Sequence, residues 1–173
     1  MKKIYIVLTY TGTVLAKVVK LYTKKEYSHV SISLDKELNN MYSFGRLNPY
    51  NPFWGGFVQE SPKYGTFKRF KNTKSKIYSL DIDEEQYEVI KDLINKINTD
   101  KKNYKFNVMG LVAVMLNIHL KRDKCFYCAE FVKYIFDNTN LNLDLPDVIK
   151  PDDFQRISGV NLIYTGFLRE YNI

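Results

Sequence analysis

Cysteine and histidine are scarce in this chain, two of each among 173 residues. Two cysteines cannot build a disulfide framework, and with two scattered histidines they are poor material for a closed four-ligand zinc site. Long apolar runs are lacking as well. The most apolar stretch, Val108 to Ile118, has eleven residues, against the ~20 a helix needs to span a bilayer. Met1-Lys2-Lys3 precedes a segment that turns polar by Thr11-Gly12, too short for the core of a secretory signal with its cleavage site. A cytoplasmic protein with reduced cysteines is therefore expected. There is no internal repeat, no low-complexity segment and no break in composition. Residues 1–173 are thus expected to form one domain, long enough to bury roughly two-thirds of the unfolded surface.

What is present suits a packed interior: 45% apolar residues, 15% aromatic, with 14 tyrosines whose hydroxyls need partners. That content argues against disorder. The formal charge of +7 favours anionic partners such as nucleic acid, lipid headgroups, anionic wall polymer or an acidic substrate, although a solvated basic surface is the simpler explanation.

The pattern along the chain predicts α+β order. Lys3 to Thr9 reads as a central strand and Thr13 to Tyr22 as a short amphipathic helix capped by Thr11 or Thr13. Tyr27 to Leu34 alternates cleanly, with Tyr27, His29, Ser31 and Ser33 on one side and Val30, Ile32 and Leu34 on the other. Met41 to Arg46 returns as its hairpin partner. Leu47 to Trp54 is expected to be a loop, able to overhang a groove as a rim, followed by a third strand over Gly56 to Glu60. Tyr64 to Lys76 reads as basic and irregular, and Ile77 to Ile82 as a strand. Helices are expected from Asp83 to Ile97 and from Asn107 to His119, and a third opening near Cys128 and ending near Asn138. Asn140 to Pro151 is a loop, Pro151 to Phe154 a capped turn, and Leu162 to Thr165 a last strand.

Cys128 falls in the first turn of its helix. Unpaired backbone N–H groups and the positive end of the helix dipole favour a thiolate there. A cysteine nucleophile needs a base, and the base needs a third group to hold its tautomer. His29, on the polar side of an alternating strand, is not explained by core packing. If the hairpin turn centres near residues 36 to 37, the positions opposite His29 fall at roughly 43 to 45, and Ser43 is the polar one. Glu60 and Gln59, ending the next strand, are the alternatives.

Two short blocks resemble the circularly permuted branch of the NlpC-type papain-like cysteine hydrolases, which includes YiiX-like proteins and relatives of lecithin:retinol acyltransferase. Ser28-His29-Val30-Ser31-Ile32-Ser33-Leu34 is similar to a pattern S/T-H-x-G/S-I-x-L. Tyr127-Cys128-Ala129-Glu130-Phe131-Val132 is similar to F/Y-C-S/A-E-F/L-V. Tyr42 to Arg46 stands where the family carries a third polar residue. The resemblance, covering Lys3 to about Phe136, implies a papain-like α+β fold in permuted order, with an antiparallel sheet packed against helices. It also implies hydrolysis or acyl transfer at an amide or ester bond through an acyl-thioester. Cys128 would be the nucleophile, His29 the base and Ser43 the orienting group, with no metal or cofactor. The Cys128 backbone N–H and the Tyr10–Thr11 region would supply an oxyanion hole. Tyr10, Arg46, Trp54 and Glu60 are the candidate substrate contacts, and the substrate would be a small molecule, lipid or peptide carrying an acyl group.

Other readings compete. Cys125 and Cys128 form a C-x-x-C, but a helix and a charged connector precede it where a thiol oxidoreductase would have a strand. Glu130 suits a helix-capping acid, and His119 a cation at a helix C-terminus. The segment from Lys63 to Lys76 interleaves six Lys or Arg with aromatic residues. It could make the chain a non-catalytic binding module for nucleic acid or anionic lipid, or simply a solvated loop.

Overall fold

The computed structural model describes residues 1–48, 51–141 and 143–171. Pro49 and Tyr50 of the expected rim loop, and Asn142 of the expected loop after Asn140, lie outside the described residues.

Ile4 to Leu8 are apolar on both faces, as a strand covered on both sides must be. They form the middle of β1 (Lys2–Tyr10). Around it lie β2 (His29–Ser33), β3 (Met41–Asn48), β4 (Asn51–Glu60), β5 (Lys74–Ile82) and β8 (Val160–Phe167). The order is β4-β3-β2-β1-β5-β8, with every neighbouring pair antiparallel. The class is α+β: one six-stranded antiparallel sheet with helices.

The main core lies between one face of this sheet and the helices α3 (Glu84–Thr99) and α5 (Cys128–Asp137). Sequence explains both helices. Asp83 accepts the Gln86 N–H while the Gln86 side chain accepts the Asp83 N–H, a reciprocal cap at the start of α3. In α5 the apolar residues Phe131, Val132, Ile135 and Phe136 recur at helical spacing and are fully buried. Each contributes roughly 1.5–3 kcal/mol by leaving water. Phe131 packs against Phe44 and Phe57 with ring centroids 5.4 and 5.8 Å apart. These contacts press the start of α5 against β3 and β4. A smaller cluster on other side chains, including Val7, Met41, Phe67 and Leu168, completes the interior.

Several local expectations need correction. The third strand does not begin at Gly56: β3 and β4 stay paired out to Asn48 opposite Asn51, with a register shift after Arg46, so much of the expected loop is ladder. Nor is Tyr64 to Lys76 irregular. It holds the short helix α2 (Gly65–Arg69), pinned by the buried Phe67, and the first residues of β5. The helix expected to reach His119 is α4 (Val108–Met115); Asn117 adopts a left-handed conformation, which a helix cannot continue through. Two-residue strands β6 (Lys105–Phe106) and β7 (Cys125–Phe126) pair in parallel just before Cys128. The helix α1 (Val14–Thr23) starts where expected, with the Thr13 hydroxyl accepting the Ala16 N–H.

One long-range clamp positions β2. The Asp152 carboxylate, in a 3₁₀ turn spanning Pro151–Arg156, accepts the backbone N–H groups of Glu26 and Tyr27 at 3.2 and 2.9 Å. It is 6% exposed, so its loss strands two donors away from water. Asp152→Ala is expected to lower the unfolding free energy by about 2–3 kcal/mol, seen as a lower urea midpoint at unchanged slope. Asp152→Asn, which keeps one carbonyl oxygen, should recover part of it; an unchanged midpoint in Asp152→Ala would show that the clamp contributes nothing.

Candidate active site

Cys128 is the first residue of α5. By helix geometry its backbone N–H has no intrahelical acceptor. Side chains behind it hold this helix start in place. Glu130 accepts the Tyr127 N–H at 3.1 Å, and the Tyr127 hydroxyl donates to the Ile149 carbonyl at 2.9 Å. The fully buried Asn107 caps α4 by accepting the Gly110 N–H, and donates to both Glu130 and the Leu120 carbonyl. Gly110 is required by this packing, since a methyl group there would lie 2.1 Å from the Asn107 Nδ2. Glu130 is thus a capping acid. Burial pushes its carboxyl up, and the bonds from Tyr127 and Asn107 pull against that.

His29 opens β2 opposite Thr9 and lines the same cleft as Cys128. Its Nε2 lies 3.0 Å from Glu60 Oε2 and 3.3 Å from Ser31 Oγ, and the Ser31 hydroxyl donates to the same Glu60 oxygen at 2.7 Å. With Nε2 taken by the carboxylate, Nδ1 is the nitrogen left for the sulfur. Extended along both strands, the hairpin register of Ser33 opposite Met41 and Ile32 opposite Tyr42 would bring Gly45 opposite His29. A Cβ on Gly45 would stand 3.4 Å from the imidazole Cε1. The absence of a side chain is what leaves room for the ring.

The expected third group is therefore corrected. Ser43 is fully buried and its hydroxyl donates to the Val30 carbonyl at 2.7 Å, so it braces the hairpin and does not touch the imidazole. Glu60, from β4, two strands away from β2, has the longer reach and makes the bond. Gln59 points elsewhere, with its amide donating to the Asn40 side chain.

The charges reinforce one another. Burial opposes the charged imidazole, but the Glu60 carboxylate, its hydrogen bond and the neighbouring Cys128 outweigh it, pushing His29 up to about 10. Burial likewise opposes the Glu60 charge. The His29 charge, the bonds from His29 and Ser31, and Arg46 hold that carboxyl below its ordinary value nonetheless. At neutral pH the pair is an imidazolium against a carboxylate.

Cys128, His29 and Glu60 line one cleft of about 80 Å³, together with Thr11, Thr13 and Arg46. Arg46 Nη2 approaches the Thr13 hydroxyl at 3.4 Å. Of the other expected substrate contacts, Trp54 is exposed on β4 and Tyr10 packs beneath the Lys20 ammonium; neither lines the cleft. His119 is exposed beyond α4, and Cys125, half-buried in β7, is a free thiol like Cys128. Among the described residues no cluster of His, Cys, Asp and Glu could hold a metal ion, and no helix is long and apolar enough to cross a membrane. In the Lys63 to Lys76 segment Phe67 is buried and Phe70 half-buried, so these rings do not form an open stacking surface.

Sequence reasoning passed over Ser31, Asn107 and Asp152 as supporting groups. Ser31 was within reach of it, two residues from His29 on the same side of an alternating strand. No protein-family model matches the chain and no curated protein matches it, so the chemistry rests on geometry.

Proposed function

We propose that this protein is a cysteine hydrolase or acyltransferase acting on an amide or ester bond, with a papain-like domain in the permuted NlpC-type order. The convergence of Cys128, His29 and Glu60 in a single cleft carries this reading: a nucleophile, a base beside it, and an acid bonded to the base.

The chemistry follows from those contacts. The Cys128 sulfur attacks the carbonyl carbon, and its proton resides on His29. The oxygen that gains charge is met by the Cys128 N–H at the positive end of α5. Collapse breaks the bond to the leaving group, which takes the proton from His29 and departs, leaving an acyl-thioester. Water or another acceptor then gives a proton to His29 and attacks the thioester, and the thiol is regenerated. Glu60 keeps the imidazole oriented and stabilises its positive charge without itself taking the proton. Thr11 and Thr13 at the cleft wall, with Arg46, are the polar groups a substrate meets.

The test is intact-mass analysis after exposure to a panel of electrophilic acyl and peptidyl probes. The expected result is a single adduct on Cys128, absent from Cys128→Ala and much reduced in His29→Ala, with Cys125 unmodified. Adducts of equal extent on both cysteines, or none with any probe while the fold is intact, would overturn the assignment.

A further inference from the structure

Beside the cleft lies a second, larger concavity of about 590 Å³, walled by α1 and α4. The two share Thr13, Leu15, Arg46, Phe106 and Leu111, so the groove adjoins the cleft where Cys128 sits. Of its lining, Val14, Val18 and Val112 are 80%, 37% and 48% exposed. Further exposed apolar residues stand on the same two elements outside the lining: Leu21 on α1 at 73%, and Met109, Leu116 and Ile118 on or just after α4 at 60%, 63% and 55%. Val14, Val18 and Leu21 recur on one side of α1, and Met109, Val112 and Leu116 on one side of α4. Helix α4 carries no charged residue at all. An apolar surface of this kind marks an interaction site.

The charge around it selects the partner. Residues 14–25 and 101–124, which contain the two helices and their flanks, hold ten Lys or Arg and one acid, Asp123. Their net charge of +9 exceeds the +7 of the whole chain, so the remainder is slightly acidic. Lys17 and Lys20 are exposed along α1, and Lys24 at its C-cap. A second copy docking face to face would oppose like charges, whereas an anionic lipid surface supplies both the apolar layer and the countercharge.

We propose that the α1–α4 face seats this protein on an anionic lipid bilayer, with Leu21, Met109 and Leu116 among the acyl chains and the α1 lysines at headgroup level. In this pose the groove opens toward the membrane, and the shared wall at Leu15 and Leu111 leads from lipid to sulfur. Of the basic Lys63 to Lys76 segment, Phe70 lines the groove. The docking stands independently of the hydrolase reading, because Cys128→Ala should dock unchanged.

The experiment is flotation of the full chain with phosphatidylcholine vesicles, alone or with roughly a third phosphatidylglycerol. Binding should require the anionic lipid and weaken as salt rises. The double variant Leu21→Glu, Leu116→Glu alters only exposed positions, and an unchanged thermal melt will confirm its fold. It should lower partitioning about tenfold or more, while Lys91→Ala, Lys96→Ala on α3, away from the groove, leaves it nearly unchanged. Sedimentation of the lipid-free protein completes the test. No flotation with either vesicle, equal flotation with both, undiminished binding by the double variant, or a stable dimer that this variant splits would each overturn the proposal, the last by assigning the face to a second copy.

Discussion

His29→Ala is expected to lower kcat/KM toward an activated ester by about 10³–10⁴-fold, the combined loss of proton acceptor and proton donor for one nucleophile. Cys128→Ala should abolish acyl-enzyme formation altogether. The reasons differ. Without the sulfur no thioester exists; without the imidazole the sulfur remains but nothing holds its proton or delivers one to the leaving group. His29 is 19% exposed at its side chain and lies on the rim of the sheet, so alanine there leaves the core intact. Urea unfolding of each variant separates lost chemistry from lost fold. Alkylation by iodoacetamide gives a substrate-free measure: Cys128 should react faster than Cys125 near pH 6.5, and His29→Ala should erase the preference while His119→Ala preserves it. Should His29→Ala retain wild-type turnover, or His119→Ala prove as damaging, the imidazole beside Cys128 would not be the base.

Glu60→Gln should have the second largest effect, and a pH signature of its own. The wild-type imidazole is raised from an ordinary value near 6.5 to about 10 against the opposing pull of burial. Removing the carboxylate charge leaves burial as the dominant influence, and burial favours the neutral ring. The alkaline limb of turnover, where imidazolium is lost, should lie near 10 in the wild type and move down by more than one unit in Glu60→Gln; a limb that stays put would show that Glu60 does not set the proton affinity of His29.

Stability follows the same linkage. A histidine whose folded value is raised contributes stability that is complete below the unfolded value and is lost as pH rises through the folded one. For Glu60, held low, the contribution is complete above its unfolded value and lost as pH falls through the folded one. The two describe one interaction, counted once. Its window therefore starts near the ordinary carboxylate value, is fullest up to about 6.5 and fades toward 10. Within that window Glu60→Gln should cost about 3 kcal/mol, at the low end for breaking a buried ion pair because the ring can shed its proton. By pH 10 the variant and the wild type should converge in urea midpoint.

The strand that carries His29 was legible because a period of two is hard to mistake: Val30 and Ile32 face the core, and Ser31 and Ser33 do not share that face. Cys128 at a helix start was legible from the apolar spacing of Phe131, Val132, Ile135 and Phe136. The third group was not. Hairpin arithmetic finds which backbone lies opposite His29, and that position is Gly45, but it says nothing of how far a side chain two strands away can stretch. A glutamate spans that gap; the nearer serine spends its hydroxyl on a carbonyl of its own hairpin. Helix α2 and the strands β6 and β7 escaped for a simpler reason, since segments of two to five residues are too short to display a period.

The Asp152 clamp makes the proposed active site a late arrival in the life of each molecule. The groups it joins are separated by 125 and 126 positions along the polymer. Ribosomes release the sequence in order, so His29 and Cys128 both emerge before the acid that fastens the approach to β2. A nascent chain halted between Phe136 and Pro151 would own the thiol and the imidazole without their mooring. Synthesis itself then acts as a safety catch, leaving the proposed site unmoored until Asp152 has emerged.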